Sequence, residues 1–193
     1  MKILFILLSL TTNLMAKDLS FEPTPKEKNY VKAVMKKIPT YEVEMKEKAQ
    51  LYIPVAQNIA QDLQVSADLV ISVIWTESHF KAEANSKVGA KGLMQIMPKT
   101  RKALIKEMKN FNLLVSKYLY TGLNYKELED IILGTYYLQK LKKRFNNTEH
   151  AIVAYNMGPT WVSKRLANKE PVGGKNHYLN KVKMKIMIVA SAE

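Results

Sequence analysis

The 193-residue chain has no cysteine, which excludes disulfides and a lipid-modified N-terminal cysteine and leaves the packed core to supply stability. Histidine is almost as scarce. His79, His150 and His177 lack the i, i+4 spacing around a glutamate that a helical zinc site uses, so no metal and no cofactor are expected. Ser78 adjoins His79, but the sequence places no third, acidic partner with them, and a hydrolase triad is not read here. Acidic residues are outnumbered too: 17 face 30 lysines and arginines, for a formal charge of +13. Internal repeats and a convincing series of strands are missing, whereas apolar residues recur at helical spacing. The fold class expected is all-α.

No stretch is apolar for the roughly 20 residues that a membrane-spanning helix needs. The nearest is Ile3 to Leu10, preceded by Lys2 and followed by Leu14-Met15-Ala16 before Lys17. A positive start, a short apolar run and a small final residue read as a secretory signal over residues 1–16, cleaved on export, with no stable membrane insertion afterwards. An excess of positive charge first suggests nucleic acid as a partner. Export argues against that, and the lysines are scattered rather than massed. An anionic cell-envelope polymer fits better, and a plainly solvated surface is the commoner meaning of such charge.

Residues 17–50, rich in lysine and glutamate and broken by Pro23, Pro25 and Pro39, read as an N-terminal extension packed loosely on the domain. Within it Tyr30, Val31, Val34 and Met35 have the spacing of a short amphipathic helix. Residues 51–193 form the domain. Pro54 suits the first turn of a helix carrying Val55, Ile59, Ala60 and Leu63. Ser66 caps the next, with Asp68 in its first turn. Residues 79–91 read as a loop. Pro98 opens a helix with a basic face of Lys99, Arg101, Lys102, Lys106 and Lys109. Glu127 to Phe145 is a long helix with Asp130 near its start, in a capping position. Asn146-Asn147-Thr148 fits the N-glycosylation pattern, but reads better as a turn in which Thr148 caps a helix ending at Gly158-Pro159. A last helix begins at about Asn176 and carries Tyr178, Val182, Ile186 and Val189 on one face.

Val70, Val73, Ile74 and Glu77 fall at i, i+3, i+4 and i+7, so one carboxylate shares the helix face that points into the core. Partial desolvation raises the pKa of such a group, as a general acid near neutral pH requires. Glu83, Asp68 and Asp130 are the nearest other acids, and none is expected in so apolar a setting.

Glu77-Ser78-His79-Phe80, Ser86, Gly89-Ala90, Gly92-Leu93-Met94-Gln95-Ile96-Met97-Pro98 and Thr100 resemble the core signature of lytic transglycosylases of the soluble-lytic-transglycosylase (SLT) type. Gly134-Thr135-Tyr136-Tyr137-Leu138, Ala154-Tyr155-Asn156-Met157-Gly158-Pro159 and Tyr178 are similar to the family's later motifs, in order, over residues 51–190. The resemblance implies a goose-lysozyme-like helical fold and cleavage of the β-1,4 bond between N-acetylmuramic acid and N-acetylglucosamine in peptidoglycan, in the periplasm. It implies Glu77 as the single catalytic acid, and Ser86, Gln95 and Met97 as residues of the glycan groove. Tyr155 and Asn156 match a pair beside the acid, and Tyr178 a tyrosine that contacts it. Where relatives commonly have Asn-Ile, this chain has Asp130-Ile131.

A lone acid suffices if the substrate supplies its own nucleophile, whereas ordinary glycoside hydrolysis needs two carboxyls about 5–5.5 Å or 6.5–9.5 Å apart. In that picture Gly92 lets the backbone approach a sugar, and Gln95 offers donor and acceptor to an acetamido group. Met94 and Met97 offer soft apolar surface, though either alone is more often a core residue. Tyr155, Tyr178 and Tyr136 are placed to hold Glu77 by hydrogen bonds. Tyr136 and Tyr137 cannot face the same way. Asn156 reads equally as a site residue or as a cap before Gly158. Trp75 and Trp161 read as core or support. Three rivals stand beside the transglycosylase: a hydrolytic lysozyme on the same fold, a non-catalytic glycan-binding protein, and a cytoplasmic nucleic-acid binder. A partner in the envelope machinery is not identified by the sequence.

Overall fold

The computed structural model describes residues 22–39 and 43–191; the signal expected over residues 1–16 lies outside them. Its centre is a helix from Ala67 to Ser78, here α3, given the chain order α1 (Pro25–Lys37), α2 (Val43–Asp62), α3 (Ala67–Ser78), α4 (Pro98–Glu107), α5 (Phe111–Tyr118), α6 (Tyr125–Phe145), α7 (Thr148–Met157), α8 (Pro159–Ala167) and α9 (His177–Ala190). Ser66 starts α3 by accepting the Leu69 N–H on its Oγ at 3.4 Å, and Asp68 stands in the first turn, at the positive end of the helix dipole. Every residue from Leu69 to Trp75 is buried. A helix apolar all round must be covered on all sides. α2, α9 and α6 pack against it.

The helix stops because His79 and Phe80 both turn left-handed, at φ 52° and 60°. The His79 N–H closes the last turn on the Trp75 carbonyl at 3.2 Å, while the Phe80 side chain is fully buried. Glu77 is thereby held in a final turn that is anchored on both sides. Among the described residues the only β-pairings are two isolated bridges, Asn85 with Lys91 and Lys91 with Ile96, inside the loop that follows. No helix among them is long and apolar enough to cross a membrane. The architecture is all-α.

Local readings are corrected in four places. α2 does not begin at Pro54: it runs from Val43 straight through that proline and through the 50/51 position where the domain was expected to start. Interior proline costs a helix about 3 kcal/mol. Here the turns on either side bury Ala49, Tyr52, Ile53, Val55, Ala56 and Ile59, which outweighs it. The described residues before position 51 are likewise not loosely attached. Thr24 and Glu27 form a capping box on α1, Tyr30, Val31 and Val34 are buried, and the Tyr30 hydroxyl donates to Asp68 at 2.5 Å. α6 is capped by Asn124, in a second capping box with Glu127, so Asp130 sits one and a half turns inside the helix and is buried. Asn147, not Thr148, caps α7, accepting the His150 N–H at 2.9 Å.

Candidate active site

Glu77 lies half-buried in a groove of about 370 Å³ whose walls include Ser86, Gln95, Met97, Tyr137, Tyr155 and Asn156. Its Oε1 accepts the Tyr178 hydroxyl at 2.7 Å, a contact that brings the first turn of α9 onto the last turn of α3. Burial pushes the Glu77 carboxyl above the ordinary carboxylate range. The Tyr178 hydroxyl and the Lys185 ammonium, both of which favour the ionised form, pull it only part of the way back. Lys185 is itself buried, with its Nζ 5.3 Å from the centre of the Trp75 ring.

Facing the acid is the loop between α3 and α4. The Ser86 hydroxyl accepts the Ala90 N–H at 2.9 Å, and the Ser86 N–H donates to the Ala90 carbonyl at the same distance, closing a tight turn. Gly92 has φ +82°, and a Cβ there would stand 1.5 Å from Asp130 Oδ2, so only glycine fits. That approach lets Asp130 accept the Leu93 N–H at 2.9 Å. Arg101, from α4, bonds the other Asp130 oxygen and also Glu129. The result is a half-buried ion cluster bolting the Gly92–Leu93 backbone to α6. Arg101 is therefore not part of a solvated basic face. Asp130 also corrects the expectation that no other acid has an apolar setting: burial raises its pKa despite Arg101, yet it lies behind the loop and not among the groove-lining residues. Glu83, by contrast, is exposed, and Asp68 is bonded by Tyr30.

Two of the anticipated site residues are elsewhere. Met94 is fully buried and packed on Gly134, where an added Cβ would meet the Met94 sulfur at 2.2 Å, so Met94 is core. Its carbonyl accepts the Tyr155 hydroxyl at 2.8 Å, and that bond replaces the expected one from Tyr155 to Glu77. Tyr136 faces outward, with its hydroxyl 3.5 Å from Glu107 and Lys140 beside its ring. Its neighbour Tyr137 lines the groove instead, 5.3 Å from the Tyr155 ring. Gln95 is in the groove wall, at φ 47°, but its amide nitrogen donates to the Ala84 and Gly92 carbonyls, both at 2.9 Å. What it can offer a ligand is its carbonyl oxygen. Met97, 41% exposed, and Asn156 open onto the groove, as do Thr100 and Met157, to which the sequence motifs gave no role, and Val88, which no motif included.

Asp130, Gly134 and Tyr137 fall at i, i+4 and i+7, a single stripe of α6 that faces this loop and its groove. That spacing was the available signal for choosing Tyr137 over Tyr136. Lys185 had a weaker one: it is seven residues after Tyr178, hence on the same face of α9.

The profile of the transglycosylase SLT domain matches residues 54–178. Among curated proteins, the chain is 34% identical over 105 residues to a soluble lytic murein transglycosylase of Salmonella typhimurium, covering 54% of this chain and 16% of that protein. It is 32% identical over 106 residues to the soluble lytic murein transglycosylase of Escherichia coli K12, again covering 16% of the relative. The chain thus spans about a sixth of the length of the curated relatives it matches. Among solved structures, an inactive mutant of the lytic transglycosylase Slt from Pseudomonas aeruginosa aligns at a TM-score of 0.48 and 25% identity, over 71% of this chain and 22% of that one. With the profile match extending from Pro54 in α2 to Tyr178 in α9, this protein belongs to the transglycosylase SLT domain family.

Proposed function

We propose that the protein is a peptidoglycan lytic transglycosylase in which Glu77 acts alone, first as general acid and then as general base. The observation that carries this reading is that Glu77, desolvated and bonded by Tyr178, is the only carboxylate among the described residues lining the groove. Protonated Glu77 gives its proton to the glycosidic oxygen as the bond from muramic acid C1 to that oxygen breaks. The charge at C1 is shared with the ring oxygen and with the carbonyl oxygen of the substrate's own N-acetyl group. The Glu77 carboxylate then takes the proton of the muramic acid C6 hydroxyl while O6 bonds to C1. Glu77 ends protonated, no water is consumed, and the products are a 1,6-anhydromuramoyl end and a free N-acetylglucosamine 4-hydroxyl.

Ser86, Gln95, Met97, Tyr155 and Asn156 serve this chemistry as the glycan-binding wall. Met97, Met157 and Val88 offer apolar surface to sugar faces, and the Gln95 carbonyl accepts from an acetamido N–H. Residues 1–16 act as the export signal that brings the enzyme to its substrate in the periplasm. Digestion of purified sacculi, with the muropeptides resolved by mass, tests the reading. Anhydromuramoyl ends that disappear in Glu77→Gln support it. Reducing ends carrying the mass of water, or full lysis by Glu77→Gln, overturn it.

A further inference from the structure

Between α1 and α2 lies a further cleft, of about 630 Å³, that shares no residue with the groove around Glu77. Its floor is apolar: Val31 and Pro54 are buried and Met35 is half-buried. Lys28, Lys32 and Lys36 of α1 and Lys46 of α2 give it cationic walls. Except for Pro54, every residue of the cleft precedes the stretch that the SLT profile matches, so the cleft lies outside the matched domain.

Charge around the cleft is sorted. None of its walls carries an acid among the described residues. Acids of the same two helices are engaged elsewhere: Glu27 accepts the Thr24 N–H and the Asn58 amide, and Glu44 pairs with Lys48 and Lys81. Of the four lysines, only Lys28 has an ion pair with a described residue, Glu22 at 3.4 Å, and both partners are largely exposed.

Lys28, Lys32 and Lys36 follow one another at four-residue steps, so their charges run in a row down one side of α1, about 6 Å apart. Val31 and Met35 keep the same step beside them. A row of cations along an apolar trough is the counterpart of a helix with one apolar stripe and acids at one-turn intervals along its edge. A bilayer matches it less well. The apolar floor is recessed, and a single lipid phosphate would face four cations.

We infer that this cleft is a docking site for an acidic amphipathic helix of a partner protein. The apolar stripe of that helix lies on Val31, Met35 and Pro54, and its carboxylates meet Lys32, Lys36 and Lys46. The inference goes beyond the glycan reading of the groove and does not depend on it.

The test is fluorescence anisotropy with a labelled model helix of about 18 residues, leucines along one stripe and glutamates flanking it. A peptide of the same composition in scrambled order and vesicles of phosphatidylglycerol are the comparison probes. The ordered peptide is expected to bind about tenfold more tightly than the scrambled one. Exposed charge contacts are individually weak, and three lost together cost about tenfold in Kd. Lys32→Glu, Lys36→Glu and Lys46→Glu together are expected to weaken binding by at least that much. A peptide with lysine in place of each glutamate regains binding to this triple variant. Lys106→Glu, Lys109→Glu and Lys175→Glu, the same change in net charge made elsewhere, leave the affinity unchanged. Equal binding of the scrambled peptide, or equal losses in the two triple variants, overturns the inference. So does a failure of the ordered peptide to bind, and vesicle binding lost in the first triple variant would then assign the cleft to a membrane.

Discussion

Replacing Gly92 by alanine is the most direct probe of how the loop is held. The new methyl would stand 1.5 Å from Asp130 Oδ2 and 2.5 Å from its Cγ, where ordinary contact begins at 3.4 Å. Loop and carboxylate must therefore separate by roughly 2 Å, the shortfall between those distances. The carboxylate cannot yield alone, because Arg101 grips its other oxygen. The Leu93 N–H bond then breaks, at about 1.5–3 kcal/mol for a bond to a charged acceptor. A left-handed alanine adds about 1–2 kcal/mol. A destabilisation of about 3–4 kcal/mol is expected from urea unfolding, with loss of muropeptide release because the loop swings away from Glu77. A double-mutant cycle with Asp130→Ala separates the clash from general glycine effects: the pair should be less destabilised than the sum of the singles. Gly92→Ala within about 1 kcal/mol of wild type, or strict additivity, would refute the reasoning.

Three other outcomes follow from the site. Tyr178→Phe removes a donor that favours ionised Glu77, so the alkaline limb of kcat/KM moves to higher pH while the rate falls by about tenfold or more, measured as muropeptide release across pH; Lys185→Met moves the limb the same way. Because the folded Glu77 pKa is raised, its contribution to stability is complete below the unfolded value and is lost as pH rises through the folded one. Glu77→Gln is therefore expected to melt above wild type at neutral pH, by about 1 kcal/mol, with the difference fading in acid. Tyr155→Phe loses its bond to the Met94 carbonyl and about 1 kcal/mol with it, whereas Tyr136→Phe is neutral in both stability and activity.

The all-α class, the α3 cap at Ser66 and the place of Glu77 at a helix end were legible because they depend on residues a few positions apart. What the sequence hid was each case decided by distant partners. Met94 reads as readily as Met97 for a groove residue, and only the cradle at Gly134 settles that it is core. Tyr155 aims at a backbone carbonyl 61 residues earlier, which no local pattern encodes. Asp130 looks like a cap from its position in the chain, but tertiary burial with Arg101 makes it an internal anchor. Pro54 is a strong helix-starting signal that loses to the apolar surface buried on both of its flanks.

The acid and the hydroxyl that secures it are 101 residues apart, one near the middle of the chain and the other on α9. A nascent polypeptide cannot assemble this pair until most of it has been synthesised, and α9 must dock on α3 before Glu77 has its electrostatic surroundings. Any species lacking that final packing step lacks the Tyr178 bond to Glu77. The surroundings of the groove's carboxylate are thereby tied to the completed fold.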